Sequence, residues 1–369
     1  MVEFKVTHPL EIIVTEKRYA LSLSAAEITC LDKWMNKVSR SFALVVASLE
    51  EPLSHYLAVA YLICRVIDNV EDCKSAPAWK DLRFEEIKQL LVRPSLAKLI
   101  LPVWDSEPWP GLMADQRQIM TFSDGLPLWK IYTRLPYEVK SIISRWALKM
   151  AEGMMQLDNP GMPPWIVRDE IQILTRETDY DQYCYIVAGT VGHMATELVI
   201  LQYGMQGELA QKLLQNCEAC GNSLQKTNIV KDFLEDQRRG VCYLPDEWLS
   251  QVGYSPLALR GSTPDWSRKV LSNVLSELQS ATSYILTLPY EVAGYRMASL
   301  LCLLPAYQTI LMAAQQHGNL FTNEHPHKIT HAVFGQCIQD AQAILTDNAA
   351  VWEYSQEVTR LVNAQFAGV

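Results

Sequence analysis

The sequence predicts an all-α protein, and three observations carry that reading. Apolar residues recur with the helical period through most long segments. Runs that alternate apolar and polar residues over a useful strand length are hard to find. Where the periodic segments stop, they stop at helix-breaking punctuation such as Glu51-Pro52, Asn159-Pro160-Gly161 and Arg239-Gly240.

Taken in order, a first helix is expected from Ala25 to Leu49, broken near Glu51-Pro52, and a second from Leu53 to Asp72. The stretch from Cys73 to Pro136 is the least regular. It holds Pro77, Pro94, Pro102, Pro108, Pro110 and Pro127 with Trp79, Trp104, Trp109 and Trp129, which predicts short helices and a loop near Trp104–Gly111. Leu135–Leu157 is the next helix, interrupted after Leu157 by Asn159-Pro160-Gly161 and Pro163-Pro164. Helices follow at Asp179–Tyr203 and Leu209–Asp236, the latter ended by Arg239-Gly240, with an extended segment at Pro245. The remaining helices are Ser267–Thr287, Ala293–Gln316 and His331–Ala364. No repeat and no linker between two composition regimes is evident, so residues 1–369 are expected to form a single helical domain.

With 49% hydrophobic and 20% charged residues the chain is too apolar to be disordered. Its net charge of −9, without any block of Lys and Arg, disfavours nucleic acid as a partner. Nine cysteines, an odd number mostly inside apolar stretches, read as reduced thiols of a cytoplasmic protein. Cys217 and Cys220 form a C-x-x-C with no second pair to complete a zinc site, so two cysteines on one helix is the expectation. Met297–Ala314 is long and apolar but contains Pro305, Tyr307, Gln308 and Thr309, and is expected to be a core helix rather than a membrane span.

Two constellations carry chemistry. In the first, Tyr61, Arg65, Asp68 and Asp72 are spaced by four, three and four residues and share one helix face, framed by Leu62, Ile63, Val66, Ile67 and Val70. Two carboxylates in that setting repel each other and lose hydration, and a cation relieves both. Hard oxygen ligands on one face suit Mg2+. A solvated helix end with Arg65 paired to Asp68 is the alternative. In the second constellation Gln225, Asn228, Asp232 and Asp236 again share a face, with Lys231 beside them. Two such faces, far apart in sequence, match a clamp in which metal ions hold a diphosphate from both sides. A third segment places Tyr183, Val187 and Val191 on one face, with Gly189 and Gly192 expected to mark a close approach. Tyr183 is either a proton-transfer group or a packed core tyrosine.

These residues resemble the squalene and phytoene synthase family. The matching elements are Ser39-Arg40-Ser41-Phe42, Tyr61 through Asp72, Tyr183 through Gly192, and Gln225 through Gln237, in that order, over a stretch from about Ser39 to Ala314. The resemblance implies an all-α isoprenoid synthase bundle around a central cavity. It implies Mg2+ held by Asp68, Asp72, Asp232 and Asp236, with Glu71 and Glu235 as further candidates, and two farnesyl diphosphate molecules as substrate. Ser39, Arg40, Ser41, Phe42, Tyr61, Arg65, Val187, Val191, Gln225 and Asn228 are the substrate-binding candidates. The catalytic set is Tyr183, Arg65 and the four aspartates. Tyr183 would assist the proton loss that closes a cyclopropane in presqualene diphosphate.

Within the family, Leu224 through Asn228 and Phe233 through Gln237 look like the squalene branch, which reduces the final cation with NADPH. Tyr183-Cys184-Tyr185, Ala188 through Gly192, Arg238-Arg239-Gly240 and Tyr243-Leu244-Pro245 look like the branch that ends by losing a proton, giving dehydrosqualene or phytoene. The length after Ala314 resembles the reducing branch. Arg40, Asn228, Lys231 and Lys328 are the NADPH candidates, although Thr330 and His331 stand where the resemblance would put basic residues. His325, His327 and His331 are read as a solvated loop rather than a metal site. A terpene cyclase, and an assembly factor of the same family without activity, are the readings from other classes; the survival of all four aspartates speaks against the second. The expected protein is cytoplasmic, loosely associated with a membrane because its product is a lipid, and without an obligatory protein partner.

Overall fold

A computed structural model describes residues 23–157, 162–252, 264–321 and 327–367. Over these residues the chain is a bundle of helices with one small sheet. Helix α1 (Ala25–Val38) opens on a capping box in which the Ser24 hydroxyl accepts from the Glu27 N–H and the Glu27 carboxylate accepts from the Ser24 N–H. The single helix expected to reach Leu49 is two. Ser39 is extended (φ −164°, ψ 105°); it ends α1 and caps α2 (Arg40–Ala47), its hydroxyl accepting from the Phe42 N–H at 3.2 Å. A short hydroxyl side chain competing for the backbone makes that break. Helix α3 (Leu53–Asp72) runs as expected, and Leu62, Ile63, Val66, Ile67 and Val70 are all buried.

The proline- and tryptophan-rich stretch becomes α4 (Pro77–Val92), α5 (Ala97–Ser106), α6 (Ala114–Gln118) and α7 (Phe122–Arg134). Its tryptophans are cement: Trp79 and Trp104 each meet Trp109 edge to face, and the buried Arg83 guanidinium lies over Trp79 while pairing with Glu86 at 3.1 Å. Helix α8 (Tyr137–Leu157) follows. The sequence reading found no strands, yet β1 (Trp165–Arg168) and β2 (Ile171–Leu174) form an antiparallel hairpin, and β3 (Val241–Cys242) adds to it in parallel. The hairpin turns through Asp169 and Glu170, both at positive φ (49° and 64°).

The segment expected to be one helix to Tyr203 is α9 (Glu177–Cys184), a wide π turn (Tyr185–Gly189) and α10 (Thr190–Tyr203). The next is also divided, into α11 (Gly207–Asn216), α12 (Glu218–Lys231) and α13 (Phe233–Arg238), with a short α14 (Asp246–Leu249) beyond β3. The expected close approach at the glycines is present. A Cβ on Gly192 would stand 2.3 Å from the Cys217 carbonyl oxygen, and one on Gly221 only 2.0 Å from that of Ala188. The π turn thus lies directly on the backbone of α12.

Helices α15 (Pro264–Thr287) and α16 (Ala293–Gln315) pack against α12, and α17 (His331–Ile344) and α18 (Asn348–Ala364) cover α16. The last pair was expected as one helix; Asp347, capping α18 through Ala350 N–H, divides it. Two segments, Glu177–Tyr203 and Ala293–Gln315, are long and apolar enough to cross a membrane by length and composition. In the fold α16 is a core helix, with Leu300, Leu304, Tyr307, Ile310 and Ala313 buried. The nine cysteines are free thiols, in agreement with the reading from sequence.

Candidate active site

On α3 the acidic stripe is built as the spacing predicts. Phe42 of α2 stacks on Tyr61 with ring centroids 4.4 Å apart. Arg65 Nη1 lies 3.8 Å from Asp68 Oδ2. Burial works against the charged Arg65, but Asp68, Tyr61 and Asp72 outweigh it and hold the guanidinium above its ordinary value. Asp68 shows the converse: burial pushes its carboxyl up to about 6, Arg65 opposes this and Asp72 adds to it.

The second stripe spans a helix break at Asp232 (φ −103°, ψ 12°). It survives because Asp232 N–H still donates to the Asn228 carbonyl and Asp236 N–H to that of Asp232, at 2.8 and 2.9 Å. Lys231 Nζ bridges Asn228 Oδ1 (2.9 Å) and Asp232 Oδ2 (3.1 Å). Burial pushes Asp236 up to about 7; Arg239 pulls the other way, and Asp232, Glu235 and Asp72 push with the burial.

The two stripes meet through Arg239. Its guanidinium donates to Asp72 of the first face and lies 3.8 Å from Asp236 Oδ1 of the second. A cavity of about 210 Å³ opens beside this bridge, lined on its polar side by Glu71, Asp72, Lys74, Lys80, Arg239 and Tyr183, and on its apolar side by Met154, Leu157 and Trp165. Tyr183 is buried at 5% exposure. Its ring stacks on Tyr243 (4.4 Å, 25°) and meets Trp165 edge to face at 6.3 Å. Burial first, then Tyr243 and Glu71, hold the Tyr183 hydroxyl well above the ordinary tyrosine range, so it keeps its proton unless a charged partner arrives.

The described residues therefore bring together Arg65, Asp68, Asp72, Asp232, Asp236, Glu71 and Tyr183 around one end of the bundle. Ser39 serves as a cap, Phe42 packs behind Tyr61, Ser41 and Glu235 are exposed, and Val187, Val191 and Gln225 are half-buried outside the cavity lining. Arg40 opens α2, and Asn228 is engaged by Lys231. His325 lies outside the described residues. The solvated-loop reading fails at His327, which is buried and held from both sides, while Lys328 and His331 are exposed. Sequence reasoning gave no site role to Arg239, Tyr243, Lys74, Lys80 or Trp165. A signal existed for Arg239, three residues after Asp236 and just before a glycine at φ 88°.

The donor set fits Mg2+. Carboxylates crowded by burial and by one another demand a cation, which Arg65 and Arg239 supply only in part. Among the described residues no three His, Cys, Asp or Glu groups form a self-contained metal cage. Mg2+ takes one or two carboxylates and completes its shell with water and phosphate.

Comparison with known proteins decides the family. A family model described as squalene/phytoene synthase matches residues 35–347. The chain belongs to the squalene/phytoene synthase family. Among curated squalene synthases it is 27% identical to that of Eremothecium gossypii over 85% of this chain and 69% of the relative. It is 24% identical to that of Mus musculus over 91% of this chain and 75% of the relative. A solved complex of TcSQS with the ligand BPH1237 superposes with a TM-score of 0.74 at 21% identity, covering 92% of each chain. A dehydrosqualene synthase complex superposes with a TM-score of 0.58 at 16% identity, covering 87% of this chain and 96% of that one. The squalene/phytoene synthase chain thus has the all-α isoprenoid synthase fold, and it is a prenyl transferase of isoprenoid biosynthesis.

Proposed function

We propose that the protein joins two farnesyl diphosphates head to head to presqualene diphosphate and then reduces that intermediate with NADPH to squalene. The observation that carries this reading is the pair of acidic faces joined across Arg239 at the mouth of a cavity whose wall is Tyr183. Asp68 and Asp72 on one side, and Asp232 and Asp236 on the other, would hold Mg2+, with Glu71 and Glu235 nearby. When bound, the metal neutralises the diphosphate leaving group and makes ionisation to an allylic cation accessible.

The chain's own residues supply the rest. Arg65, Lys231 and Arg239 offer cations to the diphosphate oxygens. The released diphosphate supplies the charged partner that Tyr183 needs, so the proton lost on cyclopropane closure passes to the tyrosine oxygen while its own proton moves to phosphate. Trp165, Met154 and Leu157 keep water from the cation, which would otherwise capture it as an alcohol. In the second half-reaction a second diphosphate would leave presqualene diphosphate, and NADPH, when bound, would supply the hydride that quenches the cation left behind and would itself become NADP+. Arg40, Asn228, Lys231 and Lys328 are the candidates to hold the dinucleotide. The protein acts in the cytoplasm, loosely held at a membrane that receives its product.

A second reading, dehydrosqualene or phytoene by proton loss, is favoured by Arg239 and Tyr243, whose segment has that branch's pattern and which both line the cavity. Farnesyl diphosphate, Mg2+ and deuteride-labelled NADPH separate the two: one deuterium in squalene supports reduction. Dehydrosqualene alone despite NADPH, or activity only on geranylgeranyl diphosphate, moves the protein to the other branch.

A further inference from the structure

His327 is buried at 4% exposure, whereas Lys328, Ile329 and Thr330 after it are exposed or half-buried. Three contacts hold it. Its backbone N–H donates to the Lys231 carbonyl at 3.1 Å, at the end of the helix that carries the second acidic stripe. Its ring meets the Leu320 carbonyl through Nε2 at 2.7 Å and Gln316 Oε1 through Nδ1 at 3.1 Å, both just beyond α16. Since a carbonyl only accepts, Nε2 donates; Nδ1 of the neutral ring then accepts, and it is satisfied when the Gln316 amide presents its NH2.

The neighbouring aromatic packing points the same way. Phe233, the residue after Asp232, is buried and meets Phe321 edge to face at 4.8 Å, and Phe321 in turn meets Trp266 at 4.7 Å. The bulky residue beside the second acidic stripe therefore faces the segment that follows α16. Phe321 and His327 each lie against the junction of α12 and α13, one through the Phe233 ring and the other through the Lys231 carbonyl. The residue after His327 is Lys328, and the residue whose carbonyl it binds is Lys231, itself paired to Asp232.

We propose that His327 is a positioning residue for the reductive half-reaction. It fixes the backbone of Lys328 against the end of α12, so that Lys231 and Lys328 together meet the phosphates of the dinucleotide at the second acidic face. This rests on the reading that NADPH is the reductant. A valine would fill much of the same space and lose both ring hydrogen bonds, leaving the catalytic groups themselves untouched.

The test uses the full chain with farnesyl diphosphate and Mg2+, comparing wild type, His327→Val and His327→Gln. It measures presqualene diphosphate formation without NADPH, then the squalene to dehydrosqualene ratio across an NADPH titration, with thermal melting as a check on folding. The expected result for His327→Val is presqualene diphosphate formation within about twofold of wild type, an NADPH KM raised about tenfold, and a product ratio shifted toward dehydrosqualene at limiting NADPH, with His327→Gln in between. Unchanged KM and product ratio in His327→Val, where wild type does use NADPH, overturn the inference alone. So does an equal loss of both half-reactions with a lowered melting temperature, because that is a structural role. A wild type that forms no squalene with NADPH overturns the parent reading and this inference with it.

Discussion

At the residue scale the carboxylates of the two faces behave differently from free ones, and the sign of the effect is testable. Asp68 and Asp236 are raised by burial to about 6 and about 7 from an ordinary value of 3.8. Without metal the folded state holds their protons in a pH range where the unfolded chain has released them. Their contribution to stability is therefore fully present below about pH 4 and is lost as pH rises toward 7. Mg2+ at the proposed site would bind the ionised form and reverse this. The melting temperature of metal-free protein should accordingly gain more from added Mg2+ at pH 7.5 than at pH 5.5, and Asp236→Asn should flatten that difference. Equal gains at both pH values would contradict the electrostatic account. On activity, Asp68→Asn or Asp232→Asn should cost at least about 100-fold in turnover with the helical circular dichroism intact. Tyr183→Phe keeps the ring stacked on Tyr243 and removes the hydroxyl; presqualene diphosphate formation should fall by a similar factor while farnesyl diphosphate still binds. Wild-type rates in that variant would return Tyr183 to a packing role.

At the scale of elements, the site depends on how closely α12 lies against the π turn that follows Tyr183. Gly221→Ala illustrates the balance. The substitution favours helix by roughly 1 kcal/mol, but its methyl group would collide with the Ala188 carbonyl, a backbone atom that cannot swing aside. Overpacking of this kind costs about 1–3 kcal/mol and occasionally more. The expected outcome is a net loss of stability in urea titration, opposite in sign to the propensity argument. From the other side, buried Lys226 ties α12 to α9 through Asp181 (2.8 Å) and to α15 through Glu277 (2.9 Å), with the Tyr180 ring 5.3 Å away. Lys226→Met strands the half-buried Glu277 without its partner. Breaking such a pair costs about 3 kcal/mol or more, less here because Asp181 remains half-exposed. Lys226→Arg should recover most of it, and chemical denaturation of the two variants is the measurement.

At the scale of the whole molecule, one buried arginine ties the turn before the last helix to the core, in addition to the packing of α17 and α18 on α16. Arg296 of α16 donates to the carbonyls of Leu345, Ile285 and Leu288 and to Asn348 Oδ1, so it closes the end of α15 and the turn before α18 together. Truncation to alanine would leave several carbonyls buried without a donor, and limited proteolysis should then release α17 and α18 first. Because α16 is consumed as a core helix, the 369-residue chain should remain in the supernatant after lysis or be released from membranes by carbonate. Recovery only in detergent would show Ala293–Gln315 or Glu177–Tyr203 serving as a membrane element instead.

The helical class, the limits of α3 and the two aspartate stripes were legible in the sequence because each is local. Spacing of three and four residues fixes a face wherever a helix forms, and the i to i−4 hydrogen bonds preserve that face even across the break at Asp232. The family motifs around Tyr183 were legible for the same reason. The breaks at Ser39 and Asp347 were not, since a serine or aspartate caps a helix or rides inside it according to the direction the chain must take next. The hairpin was missed because four-residue strands are too short to show alternation and gain their partners only from the fold. Tertiary structure alone decided that the two acidic faces oppose each other, that Arg239 stands between them, that Tyr243 backs Tyr183, and that His327 is a buried loop residue rather than a solvated one. Each is a contact between segments far apart in the chain. No periodicity records such contacts, because they come from burying apolar helix faces against one another, and the polar groups carried along must then find partners wherever that packing leaves them.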